Sequence, residues 1–251
     1  MLLAQLAAIV VLAILHAAIT WAPKGTYHRL IVSLVDVDSE TNLPTWFSSI
    51  QWMLLTLTLA AIAVLAHAMR RSRLVIALWT LCAAAALYFS ADEVAMFHER
   101  FGTILEEALQ DAPAGSPLRA LFDLNLTSYY WVMAYLPFVV PALIGGAIFF
   151  WKELGGNRRA ALLGMFVFIY GAVGLDWVEG RYGTDAHTEI VLQIASRRIG
   201  FDILLLEESL EMLGVSLALY ALLLHLSFLA AGTLDAPACK PGGLWSNGGK
   251  S

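Results

Sequence analysis

Residues 49–69 read SIQWMLLTLTLAAIAVLAHAM, a run without a single Asp, Glu, Lys or Arg. At 1.5 Å of rise per residue, a helix of that length covers about 30 Å, the thickness of bilayer hydrocarbon. Arg70, Arg71 and Arg73 follow, and then a second apolar run begins at 74 and continues to 91. Two such runs joined by a short basic turn predict a pair of transmembrane helices. Further runs of the same kind lie at 2–21, 128–151, 160–179 and 203–230. None shows the period-two alternation of a barrel strand. In hydrocarbon only helices and closed barrels satisfy their own backbone, so the expected fold is helical.

Composition agrees. The chain has 251 residues, 59% hydrophobic and 14% charged, with a mean hydropathy of +0.72. Soluble domains carry about a quarter charged residues, which excludes that class. We therefore expect an all-α, polytopic membrane helical bundle of about six transmembrane helices, with short interfacial helices on the outer side. Residues 1–232 form the bundle, and 233–251, rich in Gly, Pro and Ser, form a flexible C-terminal tail. The net charge of −5 has no basic stripe within it, so no nucleic-acid partner is expected. Cys82 lies in an apolar run and Cys239 in the tail, which makes no disulfide framework. Residues 1–21 lack the basic start of a secretory signal and are read as a retained first span, with a cleaved signal as the alternative.

Two turns are strongly basic, one holding Arg70, Arg71 and Arg73 and the other Lys152, Arg158 and Arg159. Short basic loops stay cytoplasmic, which puts both termini inside and residues 22–48, 92–127 and 180–202 outside. Tyr27, Leu30, Ile31, Leu34 and Val35 follow helical spacing, as an interfacial helix would. So do Phe97, Phe101, Ile104, Leu105, Ala108 and Leu109, until Pro113 and Gly115. Thr184 or Asp185 is placed to cap a third short helix reaching toward Arg197 and Arg198.

The acids carry the functional signal. Of 20 Asp and Glu residues, all but Glu153 and Asp235 lie in outer segments or outer halves of spans. Asp92 and Glu93 end the third span, with His98 and Glu99 one to two turns on. Asp176 and Glu179 end the fifth. Glu207, Glu208 and Glu211 lie inside the start of the sixth, Glu211 on the order of 10 Å below its outer end. Spacings of three and four put these acids on shared faces. Intramembrane carboxylates must pair, lose their charge or hold a cation, because like charges at short range oppose ionisation. Glu93, His98, Glu99, Asp176, Glu179, Glu207, Glu208 and Glu211 are the candidate ligands of a divalent metal, with Fe, Mn, Zn and Ca all compatible. Carboxylates and a histidine on facing helices are also the ligand chemistry of di-iron bundles, although the Glu-x-x-His pair of those sites is absent.

Other residues read more plainly. His67 and His225 share a depth, as two haem ligands would, but are read as buried or interfacial histidines. His16 is expected to hydrogen-bond to a neighbour, and His187 to be solvated near Asp185 and Glu189. Asp36, Asp38 and Glu40 lack the glycine and closing glutamate of a calcium loop. Asn125-Leu126-Thr127 fits a glycosylation sequon. No phosphate loop, nucleophile elbow or His-Glu-x-x-His motif occurs.

Ser90-Ala91-Asp92-Glu93, His98-Glu99, Glu207-Glu208 and Glu211-Met212-Leu213-Gly214 resemble uncharacterised multi-pass bacterial membrane proteins. That resemblance implies a bacterial inner membrane and no particular activity. Asp176-Trp177-Val178-Glu179 is similar to the Asp-Trp-Cys-Glu motif of alkaline ceramidases. Those hydrolases need a His-x-x-x-His pair for zinc, and no two histidines here are four apart, so the assignment is rejected. The leading expectation is a metal-dependent membrane enzyme acting on a lipid-soluble substrate near the extracytoplasmic face. A proton- or cation-coupled transporter and an accessory subunit of a membrane complex stand beside it. From Glu211 down to Tyr220 the sixth span offers only Ser216 and Tyr220 as polar groups, which weighs against a transport path.

Overall fold

A computed structural model describes residues 1–23, 25–37, 42–117, 119, 130–175, 178, 189–194 and 197–234. The helices are α1 (Leu2–Thr20), α2 (Arg29–Val35), α3 (Leu43–Ala68), α4 (Arg73–Ala95), α5 (Phe97–Gln110), α6 (Tyr130–Glu153), α7 (Arg158–Ile169) and α8 (Ile203–Leu234). A π-helical turn, Tyr170–Leu175, extends α7. Among the described residues six segments are long and apolar enough to cross a membrane: Leu2–Thr20, Leu43–Ala68, Arg73–Ala95, Ala134–Glu153, Gly155–Leu175 and Ile203–Gly232. They coincide with the six apolar runs. The third span is longer than expected, continuing to Ala95, and the second starts six residues earlier, at Leu43.

Capping explains those boundaries. Asn42 Oδ1 accepts the Thr45 N–H at 2.7 Å, and Pro44 occupies the first turn of α3, where a missing N–H costs nothing. At the other end, Arg70 N–H donates to His67 O and Arg71 N–H to Ala66 O, both at 2.9 Å. That pattern closes a helix around one left-handed residue, here Arg70 at φ +54°. Ser72 Oγ then accepts Val75 N–H and starts α4. The basic turn is thus a short, fully bonded hairpin corner.

The core runs through the bundle on α8. Trp52, Leu55, Leu59, Ile62 and Ala66 of α3, Trp79, Ala83 and Ala86 of α4, and Val215, Leu219 and Leu222 of α8 form one buried cluster. Ile9 and Leu12 of α1 join Met212 in a second. The closest approach is between α7 and α8. A Cβ on Gly214 would lie 2.5 Å from Phe168 N and 2.7 Å from Gly164 O, so glycine alone lets these two backbones touch. Ser49 and Ser90 clamp α3 to α4, each hydroxyl donating to the other's carbonyl at 2.9 Å.

The two expected amphipathic helices are present as α2 and α5. Leu30, Ile31 and Leu34 of α2, and Phe97, Phe101 and Ile104 of α5, all stand exposed. The third short helix is not present over the residues near Arg197 and Arg198. Glu189–Ile194 (β1) pairs antiparallel with Arg197–Asp202 (β2), in the register Glu189↔Asp202 to Ile194↔Arg197. Ile190, Val191, Ile194 and Ile199 are β-branched, which disfavours a helix and suits a hairpin. Thr184, Asp185 and His187 lie outside the described residues, as do Asp38, Glu40, Asn125 and residues 235–251.

Candidate functional site

The joint between α4 and α5 is a single left-handed residue, Met96, at φ +52°. Asp92 O accepts the Met96 N–H at 2.7 Å, so α4 closes and α5 starts on the same residue. A helix start leaves backbone N–H groups without intrahelical partners. Asp92 fills that need: Oδ1 accepts the His98 backbone N–H at 3.0 Å. Its second oxygen, Oδ2, lies 2.6 Å from His98 Nδ1. One carboxylate, 7% exposed, therefore holds both the backbone and the ring of the same histidine.

This contact orients the ring. With Nδ1 facing the carboxylate, the tautomer that carries its proton there leaves Nε2 as the acceptor nitrogen. Glu99 Oε1 lies 3.8 Å from that Nε2, on a half-exposed side chain. Trp131 meets the ring edge-on at 4.9 Å between centroids. Gly102 brings α5 close enough to α6 for this, since a Cβ there would sit 3.2 Å from Trp131 Cβ. Phe101 and Tyr135 continue the aromatic wall, and the Tyr135 and Tyr88 hydroxyls are 2.9 Å apart.

Glu93 points another way. Its carboxyl lies beside the Ser48 hydroxyl and the Trp52 indole of α3. Trp52 stacks on Phe89 at 4.7 Å and meets Phe168 edge-on at 4.9 Å. The preceding residue of α3, Gln51, is buried and reaches α8, its Nε2 donating to Ser216 Oγ at 2.8 Å and to Met212 O at 3.3 Å. Gln51 Oε1 is buried without a hydrogen-bond partner among the described residues. Such an atom costs about 1–3 kcal/mol unless water or a ligand reaches it.

On α8, Glu207 is buried and Glu208 and Glu211 are half-buried. The π-helical turn presses on them: a Cβ on Gly171 would lie 3.0 Å from both Glu207 O and Glu211 Cγ. Asp176 and Glu179, which the sequence places in the same cluster, lie outside the described residues.

The six described candidate ligands therefore fall into two groups. Glu93, His98 and Glu99 stand at the α4–α5 joint, and Glu207, Glu208 and Glu211 on the first turns of α8. The Ser48-Gln51-Trp52 face of α3 lies between them. Among the described residues no three His, Cys, Asp or Glu side chains gather as a metal-binding group. Asp92 is the residue whose role the spacing argument understated. Its signal was present, since an Asp shortly before an amphipathic helix is a capping residue. Ser48, Gln51 and Trp52 emerge only from their contacts, although three polar side chains within 48–51 of an otherwise apolar run are a visible anomaly.

The remaining histidines behave as plain structural groups in part. His16 is buried, accepting the Val37 N–H at Nδ1 (3.1 Å) with Thr20 Oγ1 at 3.2 Å from Nε2. His67 is exposed, whereas His225 is buried and stacks on Trp79.

No curated protein and no solved structure matches the chain. A family model does, over residues 3–226, and so the chain belongs to the family described as a domain of unknown function, DUF8692.

Proposed function

We propose that the chain is a multi-pass membrane enzyme in which His98, oriented by Asp92, is the general base acting on a lipid-soluble substrate. The observation that carries this reading is the 2.6 Å Asp92–His98 contact on a buried carboxylate. A carboxylate on one ring nitrogen raises the proton affinity of the other and fixes its direction, which is what a base needs. Exposed Phe97 and Phe101 beside the histidine give an apolar approach from the lipid. The amphipathic faces of α2 and α5 support an interfacial position for both helices. The two Arg-bearing turns at the opposite end support a cytoplasmic location for that end, with both termini inside a bacterial inner membrane.

The test is conversion of a native lipid. Purified protein in nanodiscs made from a bacterial total-lipid extract is incubated and the lipid species are compared by mass spectrometry. Wild type should deplete one species, and His98→Ala should not. A wild type that changes no species overturns the enzyme reading.

A second reading keeps the divalent metal. Histidines that ligate metals commonly give their other nitrogen to a carboxylate, and Asp92–His98 has that form. His98, Glu99, Glu93, Asp176, Glu179, Glu207, Glu208 and Glu211 remain its candidate ligands, drawn together only if Asp176 and Glu179 bridge the two groups. Stoichiometric Fe, Mn, Zn or Ca in wild type, lost in Glu208→Ala plus Glu211→Ala, supports it. Metal-free wild type that is fully active removes it. A transport path finds little support, because Leu55, Leu59, Ile62, Leu219 and Leu222 fill the opposite half of the bundle. An accessory-subunit role would show itself as a stoichiometric membrane partner on purification.

A further inference from the structure

The opposite end of the bundle holds a cavity that the reading above does not use. It has a volume of about 130 Å³ and lies between the ends of α3, α4, α6 and α8, with Arg71, Trp79, Glu153, His225 and Phe228 in its wall. One water needs about 10–15 Å³ of such space, so a group of several heavy atoms fits.

Two features make it a built site. His225 is only 7% exposed, and its ring stacks on Trp79 at 5.8 Å. Its ring nitrogens have no hydrogen-bond partner among the described residues, and the ring lines the cavity. An imidazole in the wall has a ring N–H to offer whatever occupies the cavity. Arg71 is the second feature. Both of its contacts to Glu153, at 2.8 and 2.9 Å, come from Nη2 alone. Nε and Nη1, with their three N–H groups, are left for something else. Glu153 therefore holds the guanidinium in place without using its second edge.

The surrounding charge sets the sign of the occupant. The turns that meet here carry Arg70, Arg71, Arg73, Lys152, Arg158 and Arg159 against one acid, Glu153. An anion with several acceptor oxygens matches a guanidinium edge and an imidazole N–H. Its mouth carries exposed apolar side chains: Phe228 is 73% exposed and Met69 40%. That mouth suits an acyl chain more than a soluble ion.

We infer that this cavity binds the phosphodiester of an anionic phospholipid. The phosphate oxygens accept from Arg71 Nε and Nη1 and from His225, and the chain descends past Phe228. Nothing in this inference depends on the Asp92–His98 site at the other end.

Native mass spectrometry of protein released from nanodiscs of phosphatidylcholine and phosphatidylglycerol tests it. Phosphatidylglycerol should be retained at about fivefold or more over its share in the bilayer, the factor of one favourable basic contact. His225→Phe keeps the ring stack on Trp79 but has no donor, and should abolish the enrichment. Arg71→Gln should do the same, with circular dichroism checking that it folds. Arg159→Gln, on an exposed residue outside the cavity wall, should leave the enrichment in place. Equal retention of the two lipids by wild type, or undiminished enrichment in His225→Phe, overturns the inference. Displacement of the lipid by millimolar inorganic phosphate would assign the same donors to a soluble anion and overturn the lipid source.

Discussion

Adding one methyl group at Gly214 tests the geometry that holds the acidic face of α8 in place. The new Cβ would meet Phe168 N at 2.5 Å, Gly164 O at 2.7 Å and Phe168 Cα at 2.7 Å. Ordinary contact begins at 3.4 Å, so α7 and α8 must part by about 0.9 Å at that point (3.4 − 2.5). All three obstacles are backbone, and no rotamer change relieves them. A gap of 0.5–1 Å forfeits a quarter to a half of the dispersion attraction along the opened seam. In addition to the overpacking cost of about 1–3 kcal/mol, the opening reaches one turn further. There Gly171 rests 3.0 Å from Glu207 O, as measured to an added Cβ. We expect Gly214→Ala to lose about 2–4 kcal/mol in a steric-trap or denaturant titration in bicelles, a range set by overpacking and seam loss together. Gly145→Ala and Gly146→Ala are the controls, because an added Cβ there meets nothing within 4 Å. They should be neutral or gain about 0.5–1 kcal/mol from helix propensity. If Gly214→Ala unfolds with wild-type stability, or Gly145→Ala is equally damaging, the close crossing is not how these helices pack.

Other outcomes follow from the same geometry. Asp92→Asn keeps an acceptor for the His98 backbone N–H but removes the charge facing Nδ1, so the fold should persist. The ¹⁵N spectrum of His98 should then move from one tautomer to a mixture; an unchanged spectrum would show that Asp92 does not set the ring. Arg70→Gly should stabilise by about 0.5–1 kcal/mol, because Arg70 occupies φ +54° on an exposed turn where glycine bears no Cβ penalty. A double-mutant cycle over Ser49→Ala and Ser90→Ala should give a coupling of about 0.6–1.7 kcal/mol, the range for interhelical hydrogen bonds in bilayers. Breaking Arg71–Glu153 with Glu153→Gln should cost no more than about 1 kcal/mol, since Arg71 is 46% exposed and the pair is screened.

Much of the architecture was legible in the chain because hydrocarbon permits few backbone solutions. Six apolar runs of span length became six helices of span length, and the amphipathic stripes of 27–35 and 97–109 became α2 and α5. A capping residue at Thr184 or Asp185 suggests a short helix reaching toward Arg197 and Arg198, whereas 189–194 and 197–202 form a hairpin that suits their β-branched residues, in a segment too short for periodicity to decide.

The candidate site was legible only in part. Helical spacing correctly says that Glu207 and Glu211 share a face, since that depends on local geometry alone. It cannot say how one helix is rotated against another. Only the packing of α3 between α4 and α8 divides the described acids into two groups, and only the left-handed Met96 turns α5 so that His98 faces Asp92. The same holds at the far end, where Arg71 and His225 are more than a hundred residues apart and meet through the docking of α4, α6 and α8. By itself the sequence determined six helices of membrane-spanning length, with nearly all the acids at one end and two short arginine-bearing turns at the other. Those properties depend on transfer energies and helical periodicity, which act residue by residue. How the α8 acids are held was decided by interhelical packing, which depends on backbone approach at Gly164, Gly171 and Gly214, and which histidine is oriented was decided by the left-handed turn at Met96.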